Sequence, residues 1–310
     1  MSALICGSMA YDTIMVFHDK FKNHILPEKV HILNVSFLVP VMRREYGGCA
    51  GNIAYNLKLL GEEPKIMATV GHDFEPYAQW LSQCGLSSEY IKILDDNYTG
   101  QAYITTDEED NQITAFHPGA MNLSHLNSVP ENAGISIGIV SPDGKDGMQL
   151  HAEQFAELAI PFIFDPGQGM PMFNAVELMR FMDLATYATF NDYESELMQE
   201  RTGQTLEQMA EKVDALIVTM GNKGSKIYTD GQCLEIPAAK PKSLMDPTGC
   251  GDAFRAGLLY GLINEFDWET TGRIASLLGA IKIEHNGTQN HFFSIETFQE
   301  RYIENFGSSF

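Results

Sequence analysis

The stretch MDPTGCGDAF, residues 245–254, sets a proline, two glycines around Cys250 and then Asp252 in front of a run, DAFRAGLLYGLI, in which Phe254, Leu258 and Ile263 fit one apolar helical stripe. A turn with almost no side chains at the mouth of a helix can direct the backbone N–H groups of Gly249, Cys250 and Gly251 into one concavity at the positive helix end. That is an anion hole. Phosphoryl transfer needs such donors where charge develops, together with a carboxylate that accepts the proton of the attacking hydroxyl, and Asp252 in the first helical turn is placed to be that base. The plain alternative is a turn with an acidic cap. G-x-G-x-x-G after the first strand is missing and no G-x-x-x-x-G-K-[ST] occurs, so the phosphate site is of another design.

Working outward, short apolar runs ending in Gly, Pro, Asn or Asp recur: ALICGS, PKIMATVG, ISIGIVSP, IPFIFDPG, ATYATFN and ALIVTMG. They read as buried strands. Longer segments between them have helical spacing, as in GNIAYNLKLLG, where Ile53, Ala54, Leu57 and Leu60 share a face and Gly61 is the stop. The alternation predicts an α/β fold with a mostly parallel central sheet covered by helices on both faces. SKIYTDGQCLEIP carries Asp230-Gly231 between two strand-like runs, a hairpin signal. Two stretches break the pattern. Residues 11–46, including HILNVSFLVP, alternate like exposed strand, and TGQAYITTDEEDNQITAFHPG reads as two strands joined by an acidic turn at 107–111. Together they predict a small appended β-sheet whose apolar face covers a ligand cleft or a partner subunit.

The 310 residues, 44% of them hydrophobic, are ample for a buried core. A formal net charge of -21 opposes binding to nucleic acid or to an anionic membrane surface. The five cysteines are widely spread without paired metal spacing, which implies reduced thiols and a cytoplasmic location. No basic start with an apolar leader and no run of membrane-spanning length is seen. None of the nine histidines forms a metal spacing, and His72 and His117 read as loop or sheet residues.

A second glycine signal, YGGCAGNIAYN, lets the backbone at Gly47 and Gly48 approach a ligand closely and offers Asn52 to hydroxyls. A Gly-Gly segment with Asn near the front and D-x-x-G-x-G-D near the back resemble the two signatures of the ribokinase-like (PfkB) carbohydrate kinases, and the likeness runs along almost the whole chain. The resemblance implies a single ribokinase-like kinase domain over 1–310, with a lid formed by about 12–46 and 98–118. It implies that Asp252 is the catalytic base beside the N–H groups of Gly249, Cys250 and Gly251, and that Asp12, Gly47, Gly48 and Asn52 bind substrate. NDYE matches the family's N-x-x-E, with Asn191 near ATP and Glu194 supporting Mg2+ through water. TMGNKG matches the nucleotide-binding turn, which gives Thr219, Gly221 and Gly224, and ASLLGAIKIEHNGTQN resembles the helix and loop of the adenine pocket, with Asn286 and Gly287 as candidates. A monovalent cation such as K+ beside the anion hole, with Asp246 helping to hold it, is a further implication. Two departures stand out: Cys250 where the family often has alanine, which keeps the backbone donor, and Pro247, which lacks one.

Within the family, the sequence looks most like the bacterial adenosine-kinase-like branch. The expected reaction is ATP- and Mg2+-dependent phosphorylation of the 5'-hydroxyl of a nucleoside, adenosine foremost, with Phe37, Met42 and Phe116 as lid residues that could face a base. The alternatives are a kinase for a free sugar such as ribose or fructose and, from another class, a non-catalytic nucleoside- or nucleotide-binding protein. Edge strands of two lids could pair, which makes a homodimer through the lid a further expectation.

Overall fold

Alternate residues of the first strand are buried in two separate apolar clusters: Ala3 and Ile5 join one, Leu4 and Cys6 the other. Side chains of a strand point to opposite faces, so a run buried at every position must lie in a sheet covered on both sides. The computed structural model describes residues 2–25, 34–109 and 111–310.

In chain order the first elements are β1 (Ser2–Cys6), β2 (Ala10–Val16), β3 (Val41–Gly47), α1 (Cys49–Leu59), β4 (Lys65–Gly71), α2 (Glu75–Gln83), β5 (Ile91–Leu94), β6 (Gly100–Thr106) and β7 (Gln112–His117). Then come β8 (Ile135–Val140), α3 (Lys145–Glu157), β9 (Phe162–Phe164), α4 (Ala175–Leu184), β10 (Tyr187–Asn191), α5 (Asp192–Thr202) and α6 (Leu206–Ala210). The last are β11 (Ala215–Thr219), β12 (Ser225–Thr229), β13 (Gln232–Ile236), α7 (Cys250–Ile263), α8 (Trp268–Lys282) and α9 (Ile295–Phe306).

A nine-stranded sheet has the order β13-β12-β11-β10-β9-β8-β1-β4-β5. It is parallel from β5 to β11, and the β12/β13 hairpin adds two antiparallel strands at one edge. Asp230 and Gly231 make the tight turn with φ of 49° and 69°, the positive pair that a two-residue hairpin loop needs. One face is packed by α1, α2, α7, α8 and α9, the other by α3, α4, α5 and α6. Each buried Leu, Ile or Phe stabilises the fold by about 1.5–3 kcal/mol relative to an exposed one, so the two clusters hold the sheet rigid between them. Helices α7 and α8 touch backbone to backbone: a Cβ at Gly257 would lie 2.3 Å from Ala275 Cα.

The second sheet has the order β3-β2-β6-β7 and falls within the two predicted segments, 12–46 and 98–118, extended by Ala10, Tyr11 and Gly47. One expectation fails. Residues 34–40 are not strand; they run to Pro40, which has no N–H for a ladder, and pairing begins only at Val41. The rest of the HILNVSFLVP reading, on residues 31–33, and Asp110 of the acidic turn lie outside the described residues. Phe37 packs within the small sheet's own aromatic cluster, its ring 4.8 Å from Phe17 and 5.1 Å from Phe21. Met42 and Phe116 are exposed. Among the described residues no helix is long and apolar enough to cross a membrane.

Candidate active site

Ligands of open α/β sheets gather beyond the carboxyl ends of the strands, and the chemistry-bearing residues leave those ends here. Asp12 follows β1 into the small sheet, Asp165 follows β9, Asn191 closes β10 and Thr219 closes β11. In front of them α1 and α7 come together, and Asn52 Nδ2 donates to Asp252 Oδ2 at 2.8 Å. Asn52 Oδ1 accepts from Gln289 Nε2 at 3.0 Å, and the same Gln289 amide reaches Tyr77 Oη at 2.7 Å. Tyr77 Oη in turn donates to the Gly47 carbonyl at 2.9 Å. Both ends of the Asn52 side chain are thus engaged, so its first task is to hold the Asp252 carboxylate, with one N–H left for a hydroxyl. Gln289 and Tyr77 escape a reading by motif, because each lies on an element whose local pattern carries no signal of the partner it meets.

Asp12 lies against the first of the paired glycines. A Cβ at Gly47 would stand 2.5 Å from Asp12 Oδ2, and one at Gly48, where φ is 87°, would meet Met9 Cα at 2.6 Å. Gly47→Ala is therefore expected to displace the Asp12 carboxylate and raise the KM for the acceptor about tenfold with kcat less affected, the pattern of lost ground-state binding in steady-state kinetics. Burial, and after it the charges of Asp252, Glu45 and Asp246, push the Asp12 carboxyl up to about 6. Asp252 is also raised to about 6, by burial and by Asp165, against the hydrogen bond from Asn52 and the charge of Arg255. Both remain anionic at neutral pH and are poised nearer to it than a free carboxylate.

Gly249 caps α7 in the left-handed region with φ of 79°. The first intrahelical bond runs from Ala253 N–H to the Gly249 carbonyl at 3.0 Å, so the amides of Gly251 and Asp252 are orphan donors of the first turn. The expected set of three needs one correction: the Cys250 N–H already donates to the Pro247 carbonyl at 3.2 Å, closing a turn over Thr248 and Gly249. The Cys250 thiol is pushed up to about 11, by burial first, which leaves it no part as a nucleophile.

Asn191 and Glu194 form a reciprocal helix cap. Glu194 N–H donates to Asn191 Oδ1 at 2.7 Å, and Asn191 N–H donates to Glu194 Oε2 at 2.8 Å. This fixes the Glu194 carboxylate next to a buried cation that sequence reading missed: Arg255 pairs with Asp165 at 3.0 Å and stands 3.9 Å from Glu194. Burial, then Asp165, raises the Glu194 pKa against the pull of Arg255. Arg255 is the one basic residue inside an apolar helical run, and that is the signal that could have found it.

A cavity of about 620 Å³ opens beside the hole, lined by Thr219, Gly221, Gly224, Cys250, Gly251 and Arg255 at its polar end. Ala238, Pro241, Leu244, Ala280 and Ile283 form an apolar end suited to a flat ring. Gly224 is there for space as well, since a Cβ would stand 2.0 Å from the Ile236 carbonyl oxygen. The structure does not bring Asn286 to this cavity. After α8 the chain turns back toward the small sheet, where the Asn286 carbonyl accepts from Asn290 Nδ2 at 3.0 Å and Asn290 holds Glu45 at 2.9 Å. Asp246 braces the turn before the hole: its carboxylate accepts the N–H groups of Thr248 and Gly287, each at 2.9 Å. Burial works against its charge, but those bonds and nearby Lys282 hold its pKa down.

The family described as pfkB family carbohydrate kinase matches residues 10–294. A nucleoside kinase of Burkholderia thailandensis, solved in complex with inosine, is 50% identical, with 99% of each chain covered and a TM-score of 0.90. The same protein in complex with ADP-inosine is 51% identical, covering 99% of this chain and 97% of that one at a TM-score of 0.88. A nucleoside kinase of Methanocaldococcus jannaschii is 31% identical over 277 residues, 88% of this chain and 91% of that protein.

Proposed function

The chain belongs to the pfkB family of carbohydrate kinases and is a phosphotransferase acting on a hydroxyl group, and from that premise we propose that it is a nucleoside kinase that moves the γ-phosphate of ATP to the 5'-hydroxyl of a purine nucleoside. The observation that carries the reading is the 2.8 Å bond by which Asn52 fixes the half-buried Asp252 carboxylate at the mouth of the anion hole. A protein that only bound its ligand would have no use for a base held there.

In this reading Asp252 accepts the proton of the 5'-hydroxyl as the bond to phosphorus forms, a transfer that can come late in a loose transition state. The amides of Gly251 and Asp252, with Gly249, take the charge that develops on the phosphoryl oxygens. Asp12 accepts hydrogen bonds from the ribose hydroxyls with Asn52 beside it, and the backbone of Gly47 and Gly48 lies close against the sugar. The 620 Å³ cavity takes the nucleotide, with Thr219 and Gly221 at the phosphates and the apolar end around adenine. Glu194 stands 3.9 Å from Arg255, which lines that cavity, and the hard oxygen donors of Glu194 and Asn191 suit Mg2+, which would be held by Glu194 through water and would neutralise charge on the phosphates. The small sheet serves as a lid that excludes water from the phosphoryl group.

Adenosine is the acceptor expected from the sequence, and inosine joins it because a chain 50% identical carries inosine. ADP release should be measured with adenosine, inosine, other nucleosides, ribose and fructose in turn. Turnover of a purine nucleoside at 1–10³ per second, the ordinary range for enzymes, is the expected result. Turnover confined to a free sugar would move the chain to a sugar kinase. Nucleoside binding without ADP release would make it a binding protein.

A further inference from the structure

Lys282, the last residue of α8, is a cation with no exposed surface. A buried ammonium is costly unless its donors are met, and it usually faces a carboxylate. This one faces carbonyls: Nζ donates to the Asp246 oxygen at 2.8 Å and to the His285 oxygen at 3.1 Å. Those carbonyls belong to the two loops that flank the hole, the turn that leads through Pro247 to Gly249 and the loop that leads to Gly287. The Asp246 carboxylate ties the same loops from its other side, through Thr248 and Gly287. The negative end of α8 therefore meets the positive end of α7 with an ammonium between them, and a Cβ at Gly279 of α8 would be 3.5 Å from the Cys250 carbonyl oxygen.

These residues do not fit the K+ that family resemblance implies. A monovalent cation is held by carbonyl oxygens, and the Asp246 carbonyl that would supply one is already bonded to a fixed positive charge. Burial lowers the Lys282 pKa, while Asp246, Cys250 and Asp252 favour its charged form.

We propose that the Lys282 ammonium is a built-in substitute for a monovalent cation, holding the Asp246 turn and the His285 loop in register behind the anion hole, so that the phosphotransferase works without K+. Lys282 is a positioning residue, and the proposal rests on the kinase reading only for its kinetic arm.

The test compares KCl with tetramethylammonium chloride at constant ionic strength, on the wild type and on Lys282→Met, reading both melting temperature and ADP release. The wild type should change by less than about twofold in kcat/KM between the salts, with no specific shift in melting temperature. Lys282→Met should lose about 10²-fold in kcat/KM, and K+ should return about tenfold of it by restoring charge behind the hole. K+ should also raise the melting temperature of the variant by roughly 3 °C, as a ligand bound only by the folded state does. A wild type that K+ activates or stabilises overturns the proposal, and so does a variant that keeps wild-type kinetics or one that K+ fails to restore. Should Lys282→Met not fold, the wild-type comparison decides alone. If no acceptor is turned over, the kinase reading fails by itself, while the melting temperatures still decide whether Lys282 takes a cation's place.

Discussion

Asp252→Asn is expected to lower kcat by about 10³-fold, the scale of a general base positioned on the reacting hydroxyl. The substitution is nearly isosteric, and its carbonyl can still accept the hydrogen bond that Asn52 Nδ2 gives Asp252 Oδ2 at 2.8 Å. The mouth of the hole therefore keeps its shape while the proton acceptor is lost. Calorimetric titration should accordingly find nucleoside affinity within about threefold of wild type, the signature of an interaction made only in the transition state. The pH profile checks the same residue. Both Asp252 and Asp12 are raised to about 6, and each acts in its anionic form. Activity should be full above that value and fall below it, steepening toward a hundredfold per unit where both groups must lose their protons. In Asp252→Asn only the slope due to Asp12 should remain. Equal losses of binding and turnover would instead mean that Asp252 is a ligand for the substrate rather than its base.

Arg255→Met is expected to cost about 3–5 kcal/mol of folding stability, the usual penalty for removing one partner of a buried ion pair. The guanidinium and the Asp165 carboxylate are 3.0 Å apart with 6% and 4% of their side chains exposed, and Glu194 stands 3.9 Å away. Methionine fills much of the space but leaves two carboxylates facing each other without a counter-charge. Urea denaturation at pH 7 measures the loss. Glu194, whose carboxyl burial already raises, relieves it by taking up a proton, so the deficit should shrink as the pH falls. Asp165→Asn in the same chain should recover part of it in a double-mutant cycle. Losses that simply add would mean that the two residues do not interact.

The strands were legible because parallel strands buried on both faces must be apolar throughout, as ALIVT of β11 is, and because Gly and Asp punctuate them. The turn at residues 245–254 was legible because two glycines around Cys250 and an aspartate stand directly before an apolar helical run, and Gly249 does take the positive φ that such a turn uses. Other features were not. The pairing of Asn52 with Asp252 joins residues far apart in the chain, and only the sheet order between them decides that α1 and α7 become neighbours. Arg255 and Lys282 are buried, where a sequence reader expects apolar side chains. Each is explained by a partner on a different element, Asp165 after β9 and the carbonyl of Asp246. Residues 34–40 alternate like a strand and are not one, since alternation reports which side of a chain is covered and not whether a neighbour is there to pair.

The chain has two tryptophans, and they are placed very differently. Trp268 opens α8 against Tyr187 at the far end of β10. Trp80 stacks on Tyr46 of the small sheet at 5.4 Å and donates its indole N–H at 2.8 Å to Gln289, which is bonded to Asn52. Indole emission depends on such stacking and bonding, so the protein carries its own optical reporter. Light from Trp80 registers any shift of the small sheet or of the amide chain that ends on Asp252, while Trp268 supplies a steady background for comparison.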